Sequence, residues 1–372
     1  MSTQTTATPK LYIGLDIHKK SWSVHFRTDL FDHRGFTMPP VAAQLEQYAN
    51  LHFPEYEIHL TYESGCCGFS AARYFLSKGW KVVMVNAADV PRMNKQNYQK
   101  TDRIDCRNLS KQLEASQLKA IYIPSEIQDH LRSLVRHRNH IVKQLRQEKL
   151  QIKSMLLYMG IHIPEQFDNP NWSKDFLQWL TDLQWANLTA AFSMQSKLRI
   201  LNILHQEYLQ VGNELRSYCR SNHKKDYYLL KSIPGIGGYL AAALLGELGD
   251  IRRFNNEDQF SSYIGMVPAI HNSGATERTT GITPRGKTLI RSYLIEAAWV
   301  AIRRDPEMQA YYRKHFGKNV KNIIVKVAHK LVKRILSVIK NETPYTISYE
   351  RNKPTCLTSG TKNKVIKRSL KL

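Results

Sequence analysis

Asp16, Glu63, Asp102 and Asp105 are the side chains of this sequence whose types and order could do chemistry as a set. Asp16 and Glu63 each end a strand-like run, LYIGLD and EIHLTYE, and Asp102 and Asp105 stand three apart in a helix-like run, hence on one face. Four gathered carboxylates repel one another unless cations neutralise them, and hard divalent ions with oxygen ligands meet that need. Two such ions about 3.5 to 4 Å apart stabilise both the attacking and the leaving oxygens of a phosphoryl displacement. Any one of these acids alone reads as a cap or a surface charge. The order strand-Asp, strand-Glu, helix-Asp-x-x-Asp gives the set its weight.

A second candidate is Ser273, between Asn272 and Gly274 in a stretch too polar and glycine-rich for a core. Downstream, Arg278, Arg285, Lys287 and Arg291 supply cations that could hold a phosphate near a serine hydroxyl, and an activated serine can become a covalent nucleophile on phosphorus. On composition alone a loop serine remains the plainer reading. His271 lies two residues away, but no G-x-S-x-G elbow is present. Upstream, SIPGIGGYLAAALLGELGD places Gly235 and Gly237 between two helical stretches, as in a helix-hairpin-helix. There glycines let backbone amides approach a phosphate and the next helix adds its dipole. A plain glycine turn against an alanine-rich face is the alternative. Lys326, Lys330 and Lys333 fall at helical spacing on one side of an apolar segment and could track phosphates.

The elements that must position these residues differ along the chain. Residues 10–122 alternate strand-like runs (Leu11–Asp16, Trp22–Phe26, Glu57–Glu63, Lys81–Asn86) with helix-like ones, which predicts a mixed α/β sheet. A helix closes at Gly79, and Thr101 is expected to cap the helix that begins at Asp102. Residues 123–222 carry apolar positions by threes and fours in two long runs separated by Trp172, Trp179 and Trp185, which predicts an antiparallel helical hairpin able to pair between chains. Residues 223–345 read as mainly helical with Gly-, Thr- and Pro-rich loops, and 346–372 as a basic, flexible tail.

Fifty-four Lys and Arg against 31 Asp and Glu leave a formal charge of +23 over 372 residues, and polyanions are the partner this implies, DNA or RNA first. A content of 42% hydrophobic residues excludes wholesale disorder. No run is apolar enough for a membrane span and the first residues lack a signal-peptide core, so a soluble, cytoplasmic protein is expected. The five cysteines, odd in number and without a CxxC pair, are expected to be reduced thiols.

LYIGLDIHKKSWSV, YESGCCGF, KVVMVNAADVP, KTDRIDCRNL, SIPGIG, the HNSG loop and ITPRGK followed by LIEAAW occur in the order found in DEDD insertion-sequence transposases. Over about residues 10–340 the chain resembles the IS110 family, nearest its IS1111 subgroup. The resemblance implies an N-terminal RuvC-like (RNase H-like) domain, a coiled-coil connector and a C-terminal transposase domain. Asp16, Glu63, Asp102 and Asp105 match the family's magnesium-binding tetrad, and Ser273 matches its nucleophile, which forms a phosphoserine link to a DNA strand end. It further implies guidance by a bridge RNA that pairs with donor and target DNA, and dimers that associate into tetramers, the RuvC-like domain of one protomer acting with the serine domain of another. Ala87 stands where relatives often carry proline, and Asn272 where another serine is common; neither is a ligand or the nucleophile. A water-using RuvC-like endonuclease and a nucleic-acid-binding protein without catalysis are the alternatives.

Overall fold

The computed structural model describes residues 8–90, 101–273, 276–317 and 319–347, without the side chains of residues 269–280. The basic tail from residue 348 and the side chains of Ser273 and Arg278 therefore lie outside the described residues. The chain divides into two compact units, one ending at Glu126 and one beginning at Ile127.

The first unit is a mixed α/β sheet. It contains β1 (Lys10–Ile17), β2 (Trp22–Thr28), β3 (Phe36–Met38), α1 (Ala42–His52), β4 (Glu57–Glu63), α2 (Ser70–Ser77), β5 (Lys81–Val85) and α3 (Asp102–Glu114). The strand order is β3-β2-β1-β4-β5; β1 runs antiparallel to β2 and parallel to β4, and β4 runs parallel to β5. Side chains alternate across the pleat, so Leu11, Ile13 and Leu15 share one face and pack with Leu45 and Ala49 of α1 and with Ala72 and Phe75 of α2. Gly14 points to the other face, where α3 lies. The stretch between Thr28 and Glu57 carries little periodicity and still folds as β3 and α1, because tertiary contacts decide such short elements.

The second unit is mostly helical. The two long runs are α4 (Glu126–Tyr158) and α6 (Leu188–Asn222), with the short α5 (Lys174–Asp182) inside the Trp-bearing link. Ile152 and Leu156 of α4, Phe176 and Leu180 of α5, and Met194 and Leu201 of α6 form a small core of their own. The other halves of α4 and α6 share a larger core with α7 (Lys224–Lys231), α8 (Gly238–Leu248), α9 (Glu257–Ile264), α10 (Thr288–Arg304), α11 (Pro306–Lys314) and α12 (Val320–Asn341). Ala241, Ala242 and Ala243 of α8 are fully buried there.

One part of this unit is not helical. Pro268–Ser273 and Thr276–Ile282 form an antiparallel hairpin, β6 and β7, where the sequence reading expects a loop. The run TERTTGI of β7 is rich in β-branched residues, which favours a strand.

Candidate active site

Local sequence places the acids. The Thr101 hydroxyl accepts from the Ile104 amide and starts α3, so Asp102 and Asp105 fall in its first turn, where their charge suits the helix dipole. The axis of α3 is held against β1 at Gly14: a Cβ there would lie 1.9 Å from the Cys106 carbonyl oxygen and 2.7 Å from the Ser110 amide nitrogen. Asp16 shares the face of Gly14, two residues on, and so meets the start of α3. On the parallel neighbour, Thr61 pairs with Gly14, which puts Glu63 on the same face at the same end of the sheet.

Asp16 and Asp102 are brought together, and His18 stands between them. His18 Nε2 is 3.2 Å from Asp16 Oδ2 and 3.6 Å from Asp102 Oδ2, and one ligand atom from each of the three residues falls within 4.8 Å of the others. Burial raises the Asp16 carboxyl above its ordinary range; His18 pulls it back, and Asp102 and Asp105 add to the rise. Burial, with help from Asp16 and Asp105, pushes the neighbouring Cys106 thiol up to about 12, so it stays protonated. Asp105 is thus within electrostatic reach of Asp16, while neither it nor Glu63 joins the closest group. The donors suit a divalent cation: carboxylate oxygens dominate, and one imidazole widens the range of acceptable ions.

In the sequence His18 opens the polar turn after Asp16 and, followed by Lys19 and Lys20, is only a moderately specific companion to that acid. The signal available was its spacing, two residues after a strand-end aspartate on the same side of the chain. Gly14 was missed, and a lone glycine inside a strand is the usual mark of close backbone approach.

In the second unit, Ser273 closes β6, its backbone paired with Thr276 across the hairpin end. The cations downstream differ in their engagements. Arg291 donates to the Gly265 carbonyl at 3.0 Å and the Thr283 carbonyl at 2.7 Å, clamping the base of the hairpin to α9. Lys287 lies 3.7 Å from the buried Glu247 and over the Tyr263 ring, and Arg285 is exposed. On α12, Lys333 pairs with Glu257 at 3.0 Å, Lys330 lies over Tyr311, and Lys326 is exposed. Gly235 has φ +95°, and a Cβ on it would lie 2.4 Å from the Ala297 carbonyl oxygen, so its glycine serves the turn and the packing on α10. Gly237 is exposed and caps α8 without a side chain, leaving the first amides of α8 for an anion.

Two family descriptions match this chain: a DEDD transposase family of the IS110 type at residues 13–160, and "Transposase IS116/IS110/IS902 family" at residues 227–313. The chain belongs to the IS110 family of transposases. Among its relatives, the y4qE protein of Sinorhizobium fredii is 26% identical over 74% of this chain and 67% of its own length. The transposase for insertion sequence element IS1111A of Coxiella burnetii is 27% identical over 62% of each chain. The pilin gene-inverting protein of Moraxella lacunata is 24% identical over 90% of this chain and 98% of its own. The first family match covers all four acids of this IS110-family chain, and the second covers Ser273. Among the described residues, no helix is long and apolar enough to cross a membrane.

Proposed function

We propose that this IS110-family transposase cuts and rejoins DNA through a covalent phosphoserine link at Ser273, with Asp16, Glu63, Asp102 and Asp105 holding magnesium. The meeting of Asp16 and Asp102 around His18, where β1 faces the start of α3, carries the reading, since it offers a divalent cation two carboxylates and an imidazole within 4.8 Å of one another. The strand order and directions support assigning the first unit to the RuvC-like class. The exposed N-cap Gly237 of α8, with no side-chain cap, supports a helix-hairpin-helix that grips backbone phosphates without reading bases.

In this reading the Ser273 hydroxyl oxygen forms a bond to phosphorus as the bond from phosphorus to the 3′-oxygen breaks. The serine proton is released, and the departing 3′-oxygen takes one up. An incoming 3′-hydroxyl then attacks the same phosphorus and returns the serine as the free alcohol. One phosphoester replaces another at each step, so rejoining needs no outside energy source. Asp16, Glu63, Asp102 and Asp105 would hold the divalent ion, which would supply Lewis acidity to the phosphate. Arg285, exposed near the hairpin, suits holding the strand.

The charge of +23 suits polyanionic partners, and in this reading they include, besides the DNA, a bridge RNA that pairs with donor and target. Exposed apolar side chains along the long helices, Leu157 at 79% and Phe192 at 65%, support pairing of α4 and α6 between protomers as a coiled-coil connector, and dimers that join as tetramers.

Denaturing gels test the chemistry. Incubated with magnesium, donor, target and the element's RNA, the wild-type protein should carry a covalently attached strand that Ser273→Ala lacks. Free 5′-phosphate ends from Ser273→Ala would make water the nucleophile and the protein a RuvC-like nuclease.

A further inference from the structure

In the second unit, a cavity of about 600 Å³ opens among α4, α5 and α6. That volume lies within the range of roughly 300 to 1,000 Å³ common for small-molecule sites. Leucines from all three helices line it, Trp172 adds an aromatic wall, and Lys149, Lys174 and Arg199 stand around it. No acidic side chain lines it, and none of these three cations has an ion-pair partner among the described residues. The nearby Glu148 is already taken by Lys197, and Asp168 by Lys153. Burial without a countercharge lowers the pKa of Lys149, whose ammonium lies 5.2 Å from the Trp172 ring centre.

An aromatic face with unpaired cations beside it is the chemistry that holds one nucleotide of a single strand, the base stacked and the phosphate paired. We propose that this groove binds an unpaired nucleotide of single-stranded RNA, its base on Trp172 and its phosphates on Lys149, Lys174 and Arg199. A base laid on the indole takes over the face that Lys149 now covers, and the long ammonium arm moves to the attached phosphate. RNA fits better than DNA on two grounds. Duplex DNA must unstack a base before offering it, whereas RNA loops present theirs already splayed. The 2′-hydroxyl is donor and acceptor at once; the Asn202 amide lining the cavity can answer both roles, and the Thr181 hydroxyl, which donates to the Leu177 carbonyl at 2.9 Å, can still accept. The site deepens the guide-RNA reading above by giving the RNA a contact outside its base pairing.

The test uses full-length protein and a fluorescein-labelled 12-nucleotide oligoadenylate, in ribose and deoxyribose forms, followed by anisotropy at several salt concentrations. Trp172→Ala should weaken ribo-oligomer binding about tenfold. Trp172 also packs on Phe176, so a second variant removes only charge: Lys149→Ala with Arg199→Ala should shallow the log-log salt slope by about 1.4, two contacts at roughly 0.7 each. The deoxy form should bind several-fold more weakly than the ribo form. An unchanged affinity and slope in the double variant, with native circular dichroism, overturns the site; equal binding of the two oligomers overturns the choice of RNA. Failure of the guide reading itself shows elsewhere, as strand exchange that proceeds when the element's RNA is omitted.

Discussion

The carbonyl oxygen of Cys106 occupies the place where a side chain at Gly14 would begin, 1.9 Å from an added Cβ. Both partners are backbone-anchored elements, β1 and α3, so neither can yield by rotating a side chain. Gly14→Ala should therefore lift the helix that carries Asp102 and Asp105 from the strand that carries Asp16. Overpacking of this kind costs about 3 kcal/mol. Urea unfolding should show the loss, and metal-dependent cleavage should fall with it; an alanine tolerated at full stability would mean that α3 does not rest on β1 in this way.

His25 is the cross-strand partner of Gly14 and grips the same turn of α3: its Nδ1 lies 2.9 Å from the Ser110 hydroxyl, and its Nε2 lies 3.1 Å from Asp32. Burial lowers its pKa below the ordinary 6.5, outweighing the pull of Asp32, with Arg107 and Arg27 adding to the fall. The unfolded chain then binds the proton more readily than the folded one. Stability from this group is full above 6.5 and drains as pH falls through the window below it. Unfolding midpoints between pH 7.5 and 5 should decline in the wild type and flatten in His25→Gln. A His25 resonance titrating above 6.5 would reverse the sign and end this account.

Asp102→Ala and Asp105→Ala should each abolish strand cleavage while leaving RNA affinity and stability within about 0.5 kcal/mol of wild type, because both side chains sit at or near the surface in the first turn of α3 and pack no core. Gel shifts and thermal melts beside the cleavage assay separate the cases. Comparable loss of binding and cleavage would make these acids structural.

Much of this was legible because period and capping are local. The bounds of β4 and the start of α3 follow from EIHLTYE and Thr101, and the two long helices from apolar residues recurring by threes and fours. The hairpin at Ser273 was not, since polar, glycine-bearing strands lack the alternation that marks a buried face. The meeting of His18 with Asp102 is not legible in the sequence because it depends on α3 arriving from some 85 residues away, and sequence spacing does not report that approach. Gly235 shows the opposite failure. Its motif was read, but the close contact that requires glycine there is with α10, which the motif does not contain.

Glu247 offers the sharpest test of the second unit. Its carboxylate is 3% exposed at the end of α8, with Arg136 Nε at 2.7 Å, Lys287 at 3.7 Å and the buried Arg132 at 3.8 Å. Removing the acid takes a counter-charge from the buried Arg132, which still faces Asp129 at 3.6 Å and donates to the Glu247 main-chain carbonyl at 3.4 Å, in a poorly solvated site. Glu247→Ala should then cost about 3 to 5 kcal/mol, Glu247→Gln less because the volume remains, and Arg136→Ala about 1 kcal/mol or below because that side chain is half exposed. Lys287 would respond in the other direction. Released from Glu247, it becomes available to phosphate, so in Glu247→Gln, the milder variant, the log-log salt slope for duplex DNA should steepen by about 0.9 even as the fold weakens. Denaturant unfolding and salt-dependent binding on the same preparation separate the two effects, and a slope that stays put while stability falls would mean that Lys287 belongs to the fold alone.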